Sequence, residues 1–172
     1  MKVINLWGSP GAGKSTAAAG LFYRMKIADY NVELINEYAK EVTWEGHGDL
    51  FRDQLYILGQ QNRKLERLRG KVDYVITDSP LLLTLAYTPE NYYEGFDDLV
   101  TKIWDSYDNY NHLIIRTHAY KQTGRHHTEE QSIDVERKIR KMFEEYNLDN
   151  HISYNTERAV EDIFEKVQNN DL

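Results

Sequence analysis

Residues Gly8-Ser9-Pro10-Gly11-Ala12-Gly13-Lys14-Ser15 place glycines, a lysine and a hydroxyl at the spacing Gly-x4-Gly-Lys-Ser. Such a segment surrounds phosphates with backbone N–H groups, reaches the terminal phosphates through the lysine and offers the hydroxyl to Mg²⁺. Gly8 to Ser15, with Thr16, are therefore the expected nucleotide contacts, Lys14 the charge-stabilising cation and Ser15 a metal ligand. Two carboxylates follow where predicted strands stop. Glu37 is placed to accept a proton from a hydroxyl, or is simply a first-turn Glu favoured by a helix dipole. Asp78 is placed to order Mg²⁺ and its waters, or forms an Asx-turn before Pro80.

Farther along, the basic stretch 116–125 carries Arg116, Lys121 and Arg125. It has the composition of a lid, spanning roughly 117–128, that closes over phosphates; a solvated basic loop is the alternative. His118, His126 and His127 lack convincing metal spacing. Gln60 and Gln61 carry amides able to pair with the edge of a flat heterocycle, although an exposed amide is the commoner role. Tyr38, Tyr87, Tyr92 and Tyr93 are possible stacking partners.

These residues need a scaffold that brings strand ends together. Residues 2–7 read as a buried strand, and from Lys14 the apolar spacing becomes helical at Ala18, Leu21, Phe22 and Met25. Residues 31–35 predict a second strand, 37–42 a short helix and 49–69 a long helix with the face Phe51, Leu55, Leu58 and Leu65. Asn62 interrupts that face, which suggests a polar neighbour. Residues 72–77 predict a third strand and 113–115 a fourth, with a helix at 99–107 and an irregular loop at 87–95 between them. A helix carrying Val135, Ile139, Met142, Phe143 and Tyr146 follows, then a strand near 151–154 and a helix with Val160, Ile163, Phe164 and Val167. Strands alternating with helices predict a three-layer α/β fold: a roughly five-stranded parallel sheet flanked by helices, with ligands at the carboxyl ends of the strands.

At 172 residues the chain has the size of one domain. No apolar run approaches the ~20 residues needed to span a bilayer. The absence of Cys rules out disulfides and thiolate metal sites and fits a reducing cytoplasm. A net charge of −7 opposes non-specific binding to a polyanion. Against that, Arg63, Lys64, Arg67, Arg69 and Lys71 form a basic run suited either to a solvated helix face or to a DNA path.

The guanine-selective Asn-Lys-x-Asp and the switch element Asp-x-x-Gly are both missing. The segments 8–15, Glu37-Tyr38-Ala39-Lys40-Glu41, 54–63, Ile76-Thr77-Asp78-Ser79-Pro80 and Thr123-Gly124-Arg125 resemble the small P-loop kinases related to ribosylnicotinamide kinase, many of them phage-encoded. A looser resemblance links the chain to the deoxyribonucleoside kinases. It implies Glu37 as base, Asp78 as Mg²⁺ organiser, Arg125 as lid arginine and Gln60 or Gln61 near the acceptor ring; Arg116 is a further candidate beside the nucleotide, and Tyr38 and Arg63 are further candidates beside the acceptor. The implied cofactors are ATP and Mg²⁺, and the implied location is the cytoplasm, a host's if phage-encoded. The implied acceptor is nucleoside-like: a nucleoside, nicotinamide riboside or a nucleotide. A hydroxymethylpyrimidine within DNA and a non-catalytic nucleotide-binding role are the alternatives. One departure is plain: where deoxyribonucleoside kinases carry Arg after the acidic residue of the third strand, this chain has Ser79-Pro80.

Overall fold

The computed structural model describes residues 1–121, 128–148 and 151–172. Five parallel strands, β1 (Lys2–Trp7), β2 (Val32–Ile35), β3 (Tyr74–Thr77), β4 (Asp108–Ile114) and β5 (His151–Ser153), lie in the order β2-β3-β1-β4-β5. Helix α1 (Lys14–Ile27) carries the chain from β1 outward to β2. Every later crossover runs the opposite way: α2 (Tyr38–Glu45) and α3 (Gln54–Glu66) lead to β3, α4 (Thr84–Tyr87) and α5 (Phe96–Asp105) to β4, and α6 (Glu129–Glu145) to β5. Because such crossovers are right-handed, reversing direction puts the connection on the other face. The core accordingly has two halves. Leu58, Leu65, Val100, Trp104, Ile139 and Phe143 pack with Val3 and Trp7 on one side, while Ala18, Leu21 and Met25 of α1 meet Ile163 and Phe164 of α7 (Thr156–Asn169) on the other.

The central strands are buried on both faces, as a sheet covered by helices requires, with Asn5, Asn111 and His112 as buried polar exceptions among apolar residues. Trp7 is fully buried between Trp104 and Phe143, at ring distances of 5.9 and 5.3 Å in edge-on geometry, and its indole N–H donates to Asn111 Oδ1 at 2.9 Å. Among the described residues, no helix is long and apolar enough to cross a membrane.

Several expected boundaries move. The long helix expected over 49–69 is two elements, a 3₁₀ turn at Gly48–Arg52 and α3, separated at Asp53, whose carboxylate accepts from Tyr56 N at 3.0 Å and caps α3. Leu58 and Leu65 are buried as expected, whereas Leu55 is exposed and Gln54, Ile57 and Gln61 join the buried face. Strand β4 starts five residues before the expected 113–115 because Asn109 and Asn111 are polar residues with buried partners: Asn109 Oδ1 accepts from Asn5 Nδ2 at 3.0 Å. Helix α2 runs past the expected end at 42, through Trp44 and Glu45, to a left-handed Gly46.

Candidate active site

The phosphate-type loop leaves β1, the middle strand, at the point where the crossovers reverse direction, which is where doubly wound sheets open a ligand crevice. Three other elements clamp it. Its start passes so close to β4 that a Cβ on Gly8 would lie 2.7 Å from Ile114 O. Its middle is held by α6, where buried Ser132 donates from Oγ to Pro10 O at 2.8 Å. Its end packs on α7, where a Cβ on Gly13 would collide with Thr156 Oγ1. The Lys14 ammonium folds back over the loop and donates to Gly8 O at 2.8 Å and Ser9 O at 3.3 Å. Ser15 and Thr16 are exposed in the first turn of α1, whose N-terminal amides and dipole favour an anion.

Glu37 and Asp78 come together. Parallel pairing of β1 with β3 sets Asn5 beside Thr77, so Asp78, the next residue, stands next to the strand end that carries the loop. Asp78 is buried, and its Oδ1 accepts from the Glu37 N–H at 3.0 Å, tying the ends of β2 and β3 into one wall. Tyr87, at the end of α4, faces the same place: burial pushes its hydroxyl above the ordinary tyrosine range, with the Glu37 carboxylate next and Tyr120 last among the causes.

Gln61 is a brace within this wall. It is buried, its Oε1 accepts from Tyr38 N at 3.3 Å, and its Nε2 donates to Thr77 Oγ1 at 3.2 Å. Gln60 is half-buried one position away, and Arg63 is exposed a turn further along. The Tyr38 and Tyr56 rings meet edge-on at 5.8 Å with hydroxyls 3.0 Å apart, and that hydrogen bond, ahead of burial, holds the Tyr38 hydroxyl up to about 12. Tyr92 supports α3 by accepting from Leu55 N at 3.0 Å, and Tyr93 is exposed.

Arg116 stands at the base of the expected lid. Its guanidinium donates to Glu129 at 3.0 Å and to His118 O at 3.2 Å and lies over the Tyr120 ring at 5.3 Å, while its buried Nε has no hydrogen-bond partner among the described residues. Thr117 Oγ1 donates to Tyr154 O at 2.9 Å, joining this base to the end of β5. Arg125, expected as the lid arginine, lies outside the described residues, as do His126 and His127. Of the basic run, Lys64 is bonded to Glu41 and Asn36 O, and Arg69 to Glu66 and Ser106. The braces Ser132, Thr156 and Tyr87 were not assigned such roles from sequence. Only the Tyr of the three carried any signal, as a candidate for stacking.

The donors present suit Mg²⁺, which takes oxygen ligands and keeps several waters: the Ser15 hydroxyl and the Asp78 carboxylate flank the loop. The glycine-lined loop with Lys14 suits a nucleotide polyphosphate.

Solved structures with this fold include a thymidylate kinase from Ehrlichia chaffeensis, with 17% identity, a TM-score of 0.64, and coverage of 97% of this chain and 98% of that one. A deoxyadenosine kinase from M. mycoides with bound dATP gives 18% identity and a TM-score of 0.59 over 98% and 100% of the two chains. The NadR protein in complex with NAD and AMP-PNP gives 16% identity and a TM-score of 0.71 over 95% of this chain and 49% of that one. At these identities the likeness shows the fold alone, an α/β fold of P-loop type with a five-stranded parallel sheet flanked by helices. No curated protein gives a significant match. The model of the AAA domain family matches residues 3–158, and the chain belongs to that family.

Proposed function

We propose that the protein transfers the γ-phosphate of ATP to a hydroxyl group of a nucleoside-like acceptor. The observation that carries this is the Glu37–Asp78 wall, set by a 3.0 Å hydrogen bond beside the strand end that bears the phosphate loop. A loop for binding alone has no need of a carboxylate pair on its acceptor side. Similar solved structures support this reading: one holds dATP, one NAD with AMP-PNP, and another NadR crystal contains NR.

In this mechanism the backbone N–H groups of the loop 8–15, which Pro10 alone lacks, and the Lys14 ammonium stabilise the phosphate charge and orient the terminal phosphorus. Ser15 and Asp78 would hold Mg²⁺, which would supply charge neutralisation at the phosphate oxygens. Glu37 accepts the proton of the acceptor hydroxyl as the new O–P bond forms and the bond to the β-phosphate bridging oxygen breaks, leaving ADP and the phosphorylated acceptor. Gln61 keeps this wall in register, and Tyr38, Tyr87 and Gln60 offer rings and an amide to a flat acceptor. Arg116, and Arg125 from the lid, complete the positive surface over the phosphates.

The test incubates the protein with Mg²⁺ and γ-labelled ATP against three pools: nucleosides including nicotinamide riboside, nucleoside monophosphates, and DNA containing hydroxymethylpyrimidine. Label is expected in a small-molecule pool. Label in DNA alone would replace the acceptor assignment, and tight binding with no label anywhere would replace catalysis with nucleotide sensing. Glu37→Gln is expected to keep ATP affinity while transfer falls about 10²-fold or more. Unchanged transfer would remove Glu37 as the base.

A further inference from the structure

The middle of the phosphate loop is a tight turn. Ala12 N donates to Ser9 O at 3.0 Å, and Gly11, its third residue, has φ +86°. Those features, with Pro10 in second place, define a type II turn. A turn of this kind has a close alternative, type I, reached by flipping the single peptide between its second and third residues while the flanking chain stays put. Proline in second place is compatible with both.

That peptide is Pro10–Gly11, and its carbonyl is not left to choose. Ser132 Oγ donates to Pro10 O at 2.8 Å from a fully buried position, across 122 residues of sequence. The peptide is trans and planar, so the Gly11 N–H points opposite to the Pro10 carbonyl. A bond that fixes the carbonyl toward α6 therefore fixes the Gly11 N–H away from α6. Ser132 is well placed to impose this, since α6 is itself rigidly set. Thr128 and Gln131 close a reciprocal capping box at its start, and Val135, Ile139, Met142 and Phe143 anchor it in the core. One turn beyond, Glu136 lies 3.5 Å from Ser9 Oγ and is held by Arg140 at 3.0 Å.

We propose that Ser132 is a positioning residue for the phosphate cradle: its hydroxyl holds the Pro10–Gly11 peptide in the type II orientation and so aims the Gly11 N–H at the nucleotide phosphates. The inference rests on the assignment of the loop as a nucleotide site but not on phosphoryl transfer. Helix α6 also accepts from Arg116, which follows β4, through Glu129 at 3.0 Å.

The experiment compares the protein with its Ser132→Ala and Ser132→Thr variants by two measurements: the ¹H–¹⁵N resonance of the Gly11 amide without nucleotide, and the affinity for Mg·ADP by calorimetry. With the hydroxyl gone, the Gly11 resonance is expected to move and affinity to fall about tenfold, the size of effect expected for one hydrogen bond to a charged group. Threonine, which keeps the donor, is expected to restore both. If Ser132→Ala leaves the Gly11 resonance in place, the turn is held by Pro10 and Gly11 themselves and the inference fails, whatever happens to affinity. A protein that binds ADP but yields no phosphorylated product would sink the kinase assignment and leave this one standing. A wild-type protein that binds no ADP would sink both.

Discussion

At Gly13 two requirements converge on one atom that is missing. The residue sits at φ +95°, where an L side chain is strained, and a Cβ there would collide with Thr156 Oγ1 at the start of α7. Gly13→Ala is therefore expected to cost about 1–3 kcal/mol of stability, measured by urea denaturation, and to weaken ADP binding as the loop yields. The two contributions separate in a double variant. Thr156→Ala removes the oxygen in the way, leaving only contacts at 3.6 Å and beyond, so it should recover part of the lost stability but none of the part due to φ. Full recovery would mean that backbone strain contributes nothing, and no recovery that the collision is relieved by a shift of α7.

Among the elements, α3 shows how a polar break in an apolar face is to be understood. Its Asn62 Oδ1 and Glu66 Oε1 each lie 2.7 Å from the Tyr107 hydroxyl, and Arg69 stacks over the Tyr107 ring at 4.3 Å while bonding Glu66 and Ser106 O. Arg69, then Tyr107, holds the Glu66 carboxyl below the usual range, and burial, then Glu66, raises the Tyr107 hydroxyl. The hydroxyl thus pins α3 to the end of α5. Tyr107→Phe is expected to lower stability by about 1–2 kcal/mol in urea titration. Because the pin lies away from the phosphate loop, ADP affinity should change by less than about twofold; a larger loss would show that α3 transmits strain to the site. The same helix marks what its sequence could disclose. The polar neighbour that Asn62 implied exists, but it is a tyrosine 45 residues away. Periodicity could not show the cap at Asp53: Asp favours caps over helix interiors, but the apolar spacing of Phe51, Leu55 and Leu58 runs straight across it and hides the break. The phosphate loop and the carboxylates at strand ends were legible because their spacing is local. The Ser132–Pro10 and Gln61–Thr77 bonds were not, because nothing in a short window of sequence encodes a partner brought in by sheet order.

For the molecule as a whole, the outer end of the sheet makes folding stability depend on pH. His112 is buried on β4, and its Nε2 lies 2.9 Å from Ser153 Oγ on β5, which donates to Asp162 Oδ2 on α7 at 2.8 Å. With its proton given to the carboxylate, Ser153 must accept from His112, so the imidazole is neutral with Nε2 protonated. Burial drives the His112 pKa down to about 4, opposed by Asp162 and aided by His151 and Lys166, from an ordinary value near 6.5. In the unfolded chain this histidine binds a proton below pH 6.5, whereas in the folded protein it does not until about pH 4. The unfolded state therefore binds more protons in that window, and stability falls as the pH falls through it, by up to ~1.4 kcal/mol per pH unit from this group. His112→Gln keeps an N–H for Ser153 and removes the titration. Urea midpoints at pH 7 and pH 5 should differ less in this variant than in the wild-type protein, while other groups shift both proteins alike. An equal difference in the two would mean that β4, β5 and α7 separate before His112 is asked to charge.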